Sequence, residues 1–351
     1  MTSKRTTYYC CRGVQCPLYE RCTEFSDCKG YGCTLRDTCT RAKTACRWCP
    51  LFCRDRPGAM DTVLGMLDEY DALQHAPVVN TVPPPPDMPI FIPTMMHPLR
   101  RNGKLHGLPG VAMTVWRLFR RERSWAMDMK NWIGVTPSTP LIMSFYSKDV
   151  VLDYFWRRKA TRIPQLIQNP SIDILISPDY SLYDDEPAFI NIYEWLRGEL
   201  AYAYMASAEK PLAYDLRWIA GDHRLLNKGI AFINKHHLPL IAINMCINGD
   251  TPERWARLRD DLILVADAIP AATHVIFWGL NSTRRVKFVA THFPKFTIIH
   301  GRAAVLAARR RNIDEEEVPG ADVADLFLTN VRHYTERYTR IKESKGHDYQ
   351  D

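Results

Sequence analysis

The chain has no stretch of about 18 consecutive apolar residues, so no membrane-spanning helix is expected. Its first residues, MTSKRTTYYCC, contain no apolar run of the kind a secretory signal uses, and a cytoplasmic location is the expectation. Walker A, G-x-G-x-x-G after a strand, H-E-x-x-H and G-x-S-x-G are all missing. ATP hydrolysis, the usual nicotinamide redox chemistry and serine hydrolysis therefore have no positive sign. Histidine is absent from the first 53 residues, and cysteine is nearly absent from the rest: ten of eleven lie between Cys10 and Cys53, with Cys246 alone. Without a secreted context a disulfide scaffold is disfavoured, and without histidine any metal there is held by thiolates.

The 351 residues suffice for one large domain with an appendage. The formal net charge of +7 is spread along the chain, which permits anionic partners without requiring them.

The cysteines are patterned. Cys11, Cys16 and Cys22 are spaced C-x4-C-x5-C, and Cys28, Cys33 and Cys39 repeat that spacing seventeen residues later. Cys46, Cys49 and Cys53 close the segment as C-x2-C-x3-C. The segment has few aliphatic residues and cannot fold on a core of its own, so bound metal would supply the missing stabilisation. Most gaps exceed the short C-x2–4-C pairs of zinc sites, whereas thiolate-only C-x2-C-x3-C is compatible with an iron–sulfur cluster. The expectation is an iron–sulfur cluster, with zinc the alternative. The order is the reverse of the radical-SAM signature, and a cysteine-rich knob also reads as a folding staple or binding module.

Residues 1–58 thus read as a cysteine-rich module. A helix over 59–75 and the proline-rich VVNTVPPPPDMP form a connecting segment, 59–88. Residues 89–312 carry short apolar runs at Ile90–Ile92, Val111–Val115, Leu141–Tyr146, Ile174–Ile176, Leu212–Tyr214, Leu240–Ile243, Val275–Trp278 and Phe296–Ile299. Helical patterns lie between the later runs, over 187–207, 222–236, 251–268 and 283–292. Alternating strand and helix implies a parallel sheet, and eight strands predict an α/β fold of (β/α)8-like or partial-barrel form. The alternative is an open doubly wound parallel sheet, because residues 93–110 offer no good helix. Residues 313–351 read as a final helix, Asp322 to Lys342, and a polar tail.

In a parallel sheet, polar residues that follow the strands meet at one rim. Asp179 and Asp215, after neighbouring strands, are candidate catalytic carboxylates, acting as acid and base or sharing a cation. His300 is a candidate proton carrier. Tyr180, Ser181, Arg217, Trp218, Asn244 and Asn281 are candidate ligand contacts: Arg217 for a phosphate or carboxylate, Trp218 for stacking on a ring. Each also has a plain structural reading. Asp179 also reads as a turn cap, Asp215 and Arg217 as an ion pair, the tryptophans as core, and Cys246 as a buried filler. Two basic runs, Arg117–Arg123 before Trp125 and Arg309–Arg311, suit a nucleic-acid backbone or a solvated helix face.

One stretch is distinctive. Ser177-Pro178-Asp179-Tyr180-Ser181-Leu182-Tyr183, followed by Pro187, Asn191, Tyr193 and Arg197, resembles the SPDFSLY-type segment of a bacterial and phage family of unknown function. Ser144-Phe145-Tyr146, Phe155-Trp156 and Pro211 to Trp218 are similar to that family's neighbouring elements, so the likeness covers roughly residues 140–300. It implies a mobile-element or phage setting and one compact α/β domain, with no transferable activity.

Three functions follow as expectations. The first is a metal-containing protein associated with DNA or RNA that binds or modifies a nucleotide at the rim. The second is an enzyme acting on a small phosphorylated or carboxylated metabolite. The third is a non-catalytic regulatory binding module.

Overall fold

The computed structural model describes residues 59–75, 79–95, 105–115, 128–183, 188–246 and 251–344. The nine proposed metal ligands from Cys11 to Cys53 and the basic run Arg117–Arg123 lie outside the described residues.

Eight strands are present: β1 (Phe91–Pro93), β2 (Val111–Thr114), β3 (Leu141–Ser144), β4 (Ile174–Ile176), β5 (Leu212–Asp215), β6 (Leu240–Asn244), β7 (His274–Trp278) and β8 (Phe296–His300). They lie in the order β1-β8-β7-β6-β5-β4-β3-β2, and every pair is parallel. The two ends meet through one parallel bridge, Thr94 with Ala112, where the Met95 N–H donates to Ala112 O at 2.9 Å. The result is a nearly closed eight-stranded parallel barrel of the TIM-like kind. The open-sheet alternative is set aside by that bridge.

Alternate side chains of each strand face the barrel axis. Ile92, Ala112, Ile142, Ile174, Ile176, Ala213, Leu240, Ala242, Ile276 and Ile299 form the inner core. Their neighbours, such as Phe91, Met143, Leu175, Tyr214, Ile241 and Phe277, face the helices. Burial on both faces is why the strands read as unbroken apolar runs.

The outer layer begins with α1 (Ala59–His75), α2 (Met129–Ile133), α3 (Asp149–Arg157) and α4 (Lys159–Ile167). It continues with α5 (Ala188–Met205), α6 (His223–His236), α7 (Pro252–Ala268), α8 (Thr283–His292), α9 (Arg302–Ala308) and α10 (Val323–Glu343). Local chemistry sets several starts. Asp222 caps α6 through Arg224 N, Thr251 caps α7 ahead of Pro252, and Asp322 caps α10 through Ala324 N and Asp325 N. Helices α3 and α4 were not expected. Arg157-Arg158-Lys159 interrupts their apolar spacing, and Pro164 sits inside α4.

The helix of the connecting segment and the C-terminal helix both pack onto the barrel's layers. Helix α10 covers β1, with Tyr334 and Tyr338 packed at ring centroids 5.4 and 5.7 Å from Phe91. Helix α1 lies against α5, where Tyr70 meets Trp195 at 5.2 Å and Tyr204 Oη donates to Glu69 at 2.5 Å. Within the proline-rich stretch, the buried Asn80 donates through Nδ2 to the carbonyls of Ala206, Ala208 and Lys210, tying it to the α5–β5 turn. No helix among the described residues is long and apolar enough to cross a membrane.

Candidate active site at the barrel mouth

The carboxyl ends of β3 to β7 bring polar side chains to one mouth. Asp215, the last residue of β5, faces inward and is 1% exposed. Its Oδ1 accepts a 2.6 Å hydrogen bond from Tyr146 Oη, and its N–H donates to Ser177 Oγ at 2.9 Å. A separation of 2.6 Å is at the short end for an O–H···O bond. Tyr146 also packs edge-on against Trp278, at 5.4 Å between centroids.

Asp179 follows β4 and is half-buried. Asn244, at the end of β6, donates from Nδ2 to Asp179 Oδ2 at 2.6 Å, while its Oδ1 accepts the Cys246 N–H. Burial raises the pKa of the Asp179 carboxyl, and the Asn244 bond and Arg217 oppose it. Burial and then the charge of Asp179 push Asp215 well above the carboxylate range, again against Arg217. Burial, Asp215 and Asp179 push the Tyr146 phenol up in the same way. Tyr146 is therefore a neutral donor, and the two carboxyl groups share one nearby guanidinium, that of Arg217.

Arg217 supplies that charge without facing outward. Its Nε lies 3.1 Å from Asp215 Oδ2 and its Nη2 3.4 Å from Glu199. The guanidinium also donates to the carbonyls of Glu194 and Trp195 on α5. It sits over Gly198, where a Cβ would fall 1.8 Å from Nη2. A glycine in mid-helix is costly by itself, and here it makes the seat for the arginine.

The loop that presents Asp179 is clamped from both sides. Asn191 accepts the Tyr183 N–H and donates to the Tyr183 carbonyl. Ser181 Oγ donates to Asp149 at the start of α3. The Tyr180 ring stacks under Arg197, 3.9 Å from its guanidinium carbon. Arg197 is 1% exposed and pairs with Asp153 at 2.7 Å and Glu194 at 2.9 Å. The distinctive Ser177–Tyr183 segment, with Asn191 and Arg197, thus holds the loop's shape, and Asp179 is its member at the cleft.

No family model matches this chain, and no curated protein is found similar to it.

The cleft itself is lined by Asp179, Ser181, Leu182, Leu216, Arg217, Trp218 and Asn244, and encloses about 30 Å³, the room of one water. Sequence reasoning placed Asp179, Asp215, Asn244 and Arg217 together, and the structure brings them together. Other expected site residues have different roles. His300 points away from the mouth, where Nε2 bonds Tyr338 Oη at 2.9 Å and Nδ1 accepts the Arg302 N–H. Burial lowers its pKa to about 3, so it is a neutral core group rather than a proton carrier at the site. Tyr180 is a buried packing residue. Trp218 donates from Nε1 to the buried Asp261 at 2.7 Å, which also accepts from Gly221 N and pairs with His223. Asn281 is exposed beyond β7. Cys246 is an exposed thiol at the rim, not a buried filler.

Tyr146 was missed as a site residue, although a signal existed. Ile142, Ser144 and Tyr146 are spaced by two, so the inward face of β3 continues to the tyrosine. Among the described residues, no three His, Cys, Asp or Glu side chains converge to hold a metal ion.

Proposed function

We propose that the barrel mouth is an acid–base active site acting on a nucleotide or a related small ring compound, in a protein that works beside nucleic acid. Asp179 exchanges a proton with the ligand, since it borders the cleft and burial has raised its pKa. The Tyr146–Asp215 pair fixes the charge beside it. The observation that carries this reading is the convergence of two carboxylates from neighbouring strands on one mouth. Arg217 is the single cation among the described residues that line the cleft. The carboxyl end of a parallel barrel is where such folds do chemistry, although the fold alone names no reaction.

The nucleic-acid part rests on the cysteine-rich segment, the runs Arg117–Arg123 and Arg309–Arg311, and the mobile-element or phage setting that the Ser177–Tyr183 resemblance implies. The cysteines from Cys11 to Cys53 would hold an iron–sulfur cluster, or zinc in the alternative. Iron, sulfide and zinc analysis of anaerobically purified protein separates these, and salt-dependent binding of single-stranded oligonucleotides tests the partner.

The acid–base reading is tested by incubating the full chain with a panel of nucleosides, nucleotides and short oligonucleotides, followed by mass spectrometry. A product formed by the wild type and lost in Asp179→Asn is the expected result. Equal turnover by the Asp179→Asn variant, or none by either protein, defeats it.

A further inference from the structure

We infer that the ligand of this mouth presents an exocyclic amine on a ring, and is not recognised through a phosphate or carboxylate. This rests on the acid–base reading and adds the chemical class of the ligand.

The hydrogen-bonding capacity of the mouth is one-sided. Among the described residues, Arg217 is the one cation that lines the cleft, and it is turned onto α5, bonded to Glu194 O, Trp195 O and Glu199, and set beside Asp215. It cannot swing out to an anion without exposing Glu199 and Asp215, which are 7% and 1% exposed, as uncompensated buried charges. Asn244 uses Nδ2 on Asp179 and Oδ1 on the Cys246 backbone. The Ser181 hydroxyl donates to Asp149, and the Trp218 indole N–H to Asp261. Among the described residues, each side chain that lines the cleft and carries a donor thus bonds the protein, and the half-buried Asp179 carboxyl stands among them as an acceptor.

Charge points the same way. Asp179, Asp215 and Glu199 surround one guanidinium, and burial raises the pKa of all three carboxyls. An anionic ligand group would add negative charge beside these carboxyls, whereas an N–H donor or a partly cationic ring meets them with the opposite polarity. A carboxylate accepting from an exocyclic amine is a known way to read a base edge. Trp218 supplies an aromatic wall beside Asp179. A cleft of about 30 Å³ is too small to enclose a ring, so the ring is met by its edge across the mouth.

The test is calorimetric titration of the full chain, at fixed salt, with four nucleosides and their 5′-monophosphates. Cytidine and adenosine carry the amine; uridine and inosine carry a carbonyl in its place. Cytidine and adenosine are expected to bind at least about tenfold more tightly than uridine and inosine. The 5′-phosphate is expected to bring no gain in affinity. In Asp179→Ala the preference for the amine is expected to disappear; should that variant not fold, the wild-type comparison alone decides. Equal binding of uridine, tightening by the phosphate, or binding of none of the four overturns the inference. The outcomes separate from those of the turnover test. Amine-selective binding without turnover keeps the ligand class and sinks the acid–base reading. Turnover of a ligand held by its phosphate does the reverse.

Discussion

Tyr146, two residues beyond β3, donates a 2.6 Å hydrogen bond to Asp215 at the end of β5, across the intervening strand β4. The bond closes the floor of the mouth. It is the one side-chain hydrogen bond of the Asp215 carboxylate among the described residues, its other contact being the 3.1 Å approach to Arg217.

Tyr146→Phe removes the donor and leaves the ring. A buried carboxyl oxygen that loses its hydrogen-bond donor costs about 1–3 kcal/mol, so urea denaturation should show a loss of that order. An unchanged midpoint would mean that Asp215 is solvated or neutral without the tyrosine.

Gly198→Ala should also destabilise, against local propensity. Exposed helical glycine replaced by alanine usually gains about 1 kcal/mol. Here the new Cβ would lie 1.8 Å from Arg217 Nη2, so the guanidinium must leave its seat and abandon Glu199 and Asp215. A net loss of about 2 kcal/mol or more is expected, in keeping with broken buried ion pairs. A gain in thermal midpoint would refute the packing described for Arg217.

Glu194 gives a pH dependence with a definite sign. Burial pushes its carboxyl up to about 7 despite Arg197. An unfolded glutamate titrates at about 4.3, so between these values the folded state binds the proton and the unfolded state does not. The Glu194 contribution is therefore full at low pH and declines as pH rises toward 7. His300, lowered to about 3, acts in the opposite direction, but it is common to both proteins in a comparison with Glu194→Gln. The difference in unfolding free energy, Glu194→Gln minus wild type, should grow by on the order of 1–3 kcal/mol between pH 5 and 8. A difference that does not change with pH would show that Glu194 titrates normally.

The barrel was legible because its strands are buried on both faces, and such strands announce themselves as compact apolar runs. Asp179, Asp215 and Asn244 were legible as the first polar groups after those runs. His300 was misread because adjacency to a strand does not fix a side: Thr297 and Ile299 face inward with the ladder, so residue 300 faces α10. The direction of Arg217 depended on Gly198, nineteen positions earlier on another element, and no local pattern links the two. The roles of Trp218 and Asp261 were hidden for the same reason, since their bond joins elements 43 residues apart.

The seating of Arg217 on Gly198 also constrains how this protein can change over generations. Any side chain at position 198 collides with the arginine, and a shortened residue at 217 strands Glu199 beside an empty seat. Substitution there is coupled: position 198 varies at low cost only once 217 and 199 have been relieved together. Descendants that retain the arginine inherit the glycine with it, and a lineage in which position 198 carries a side chain must have rebuilt this wall of the mouth.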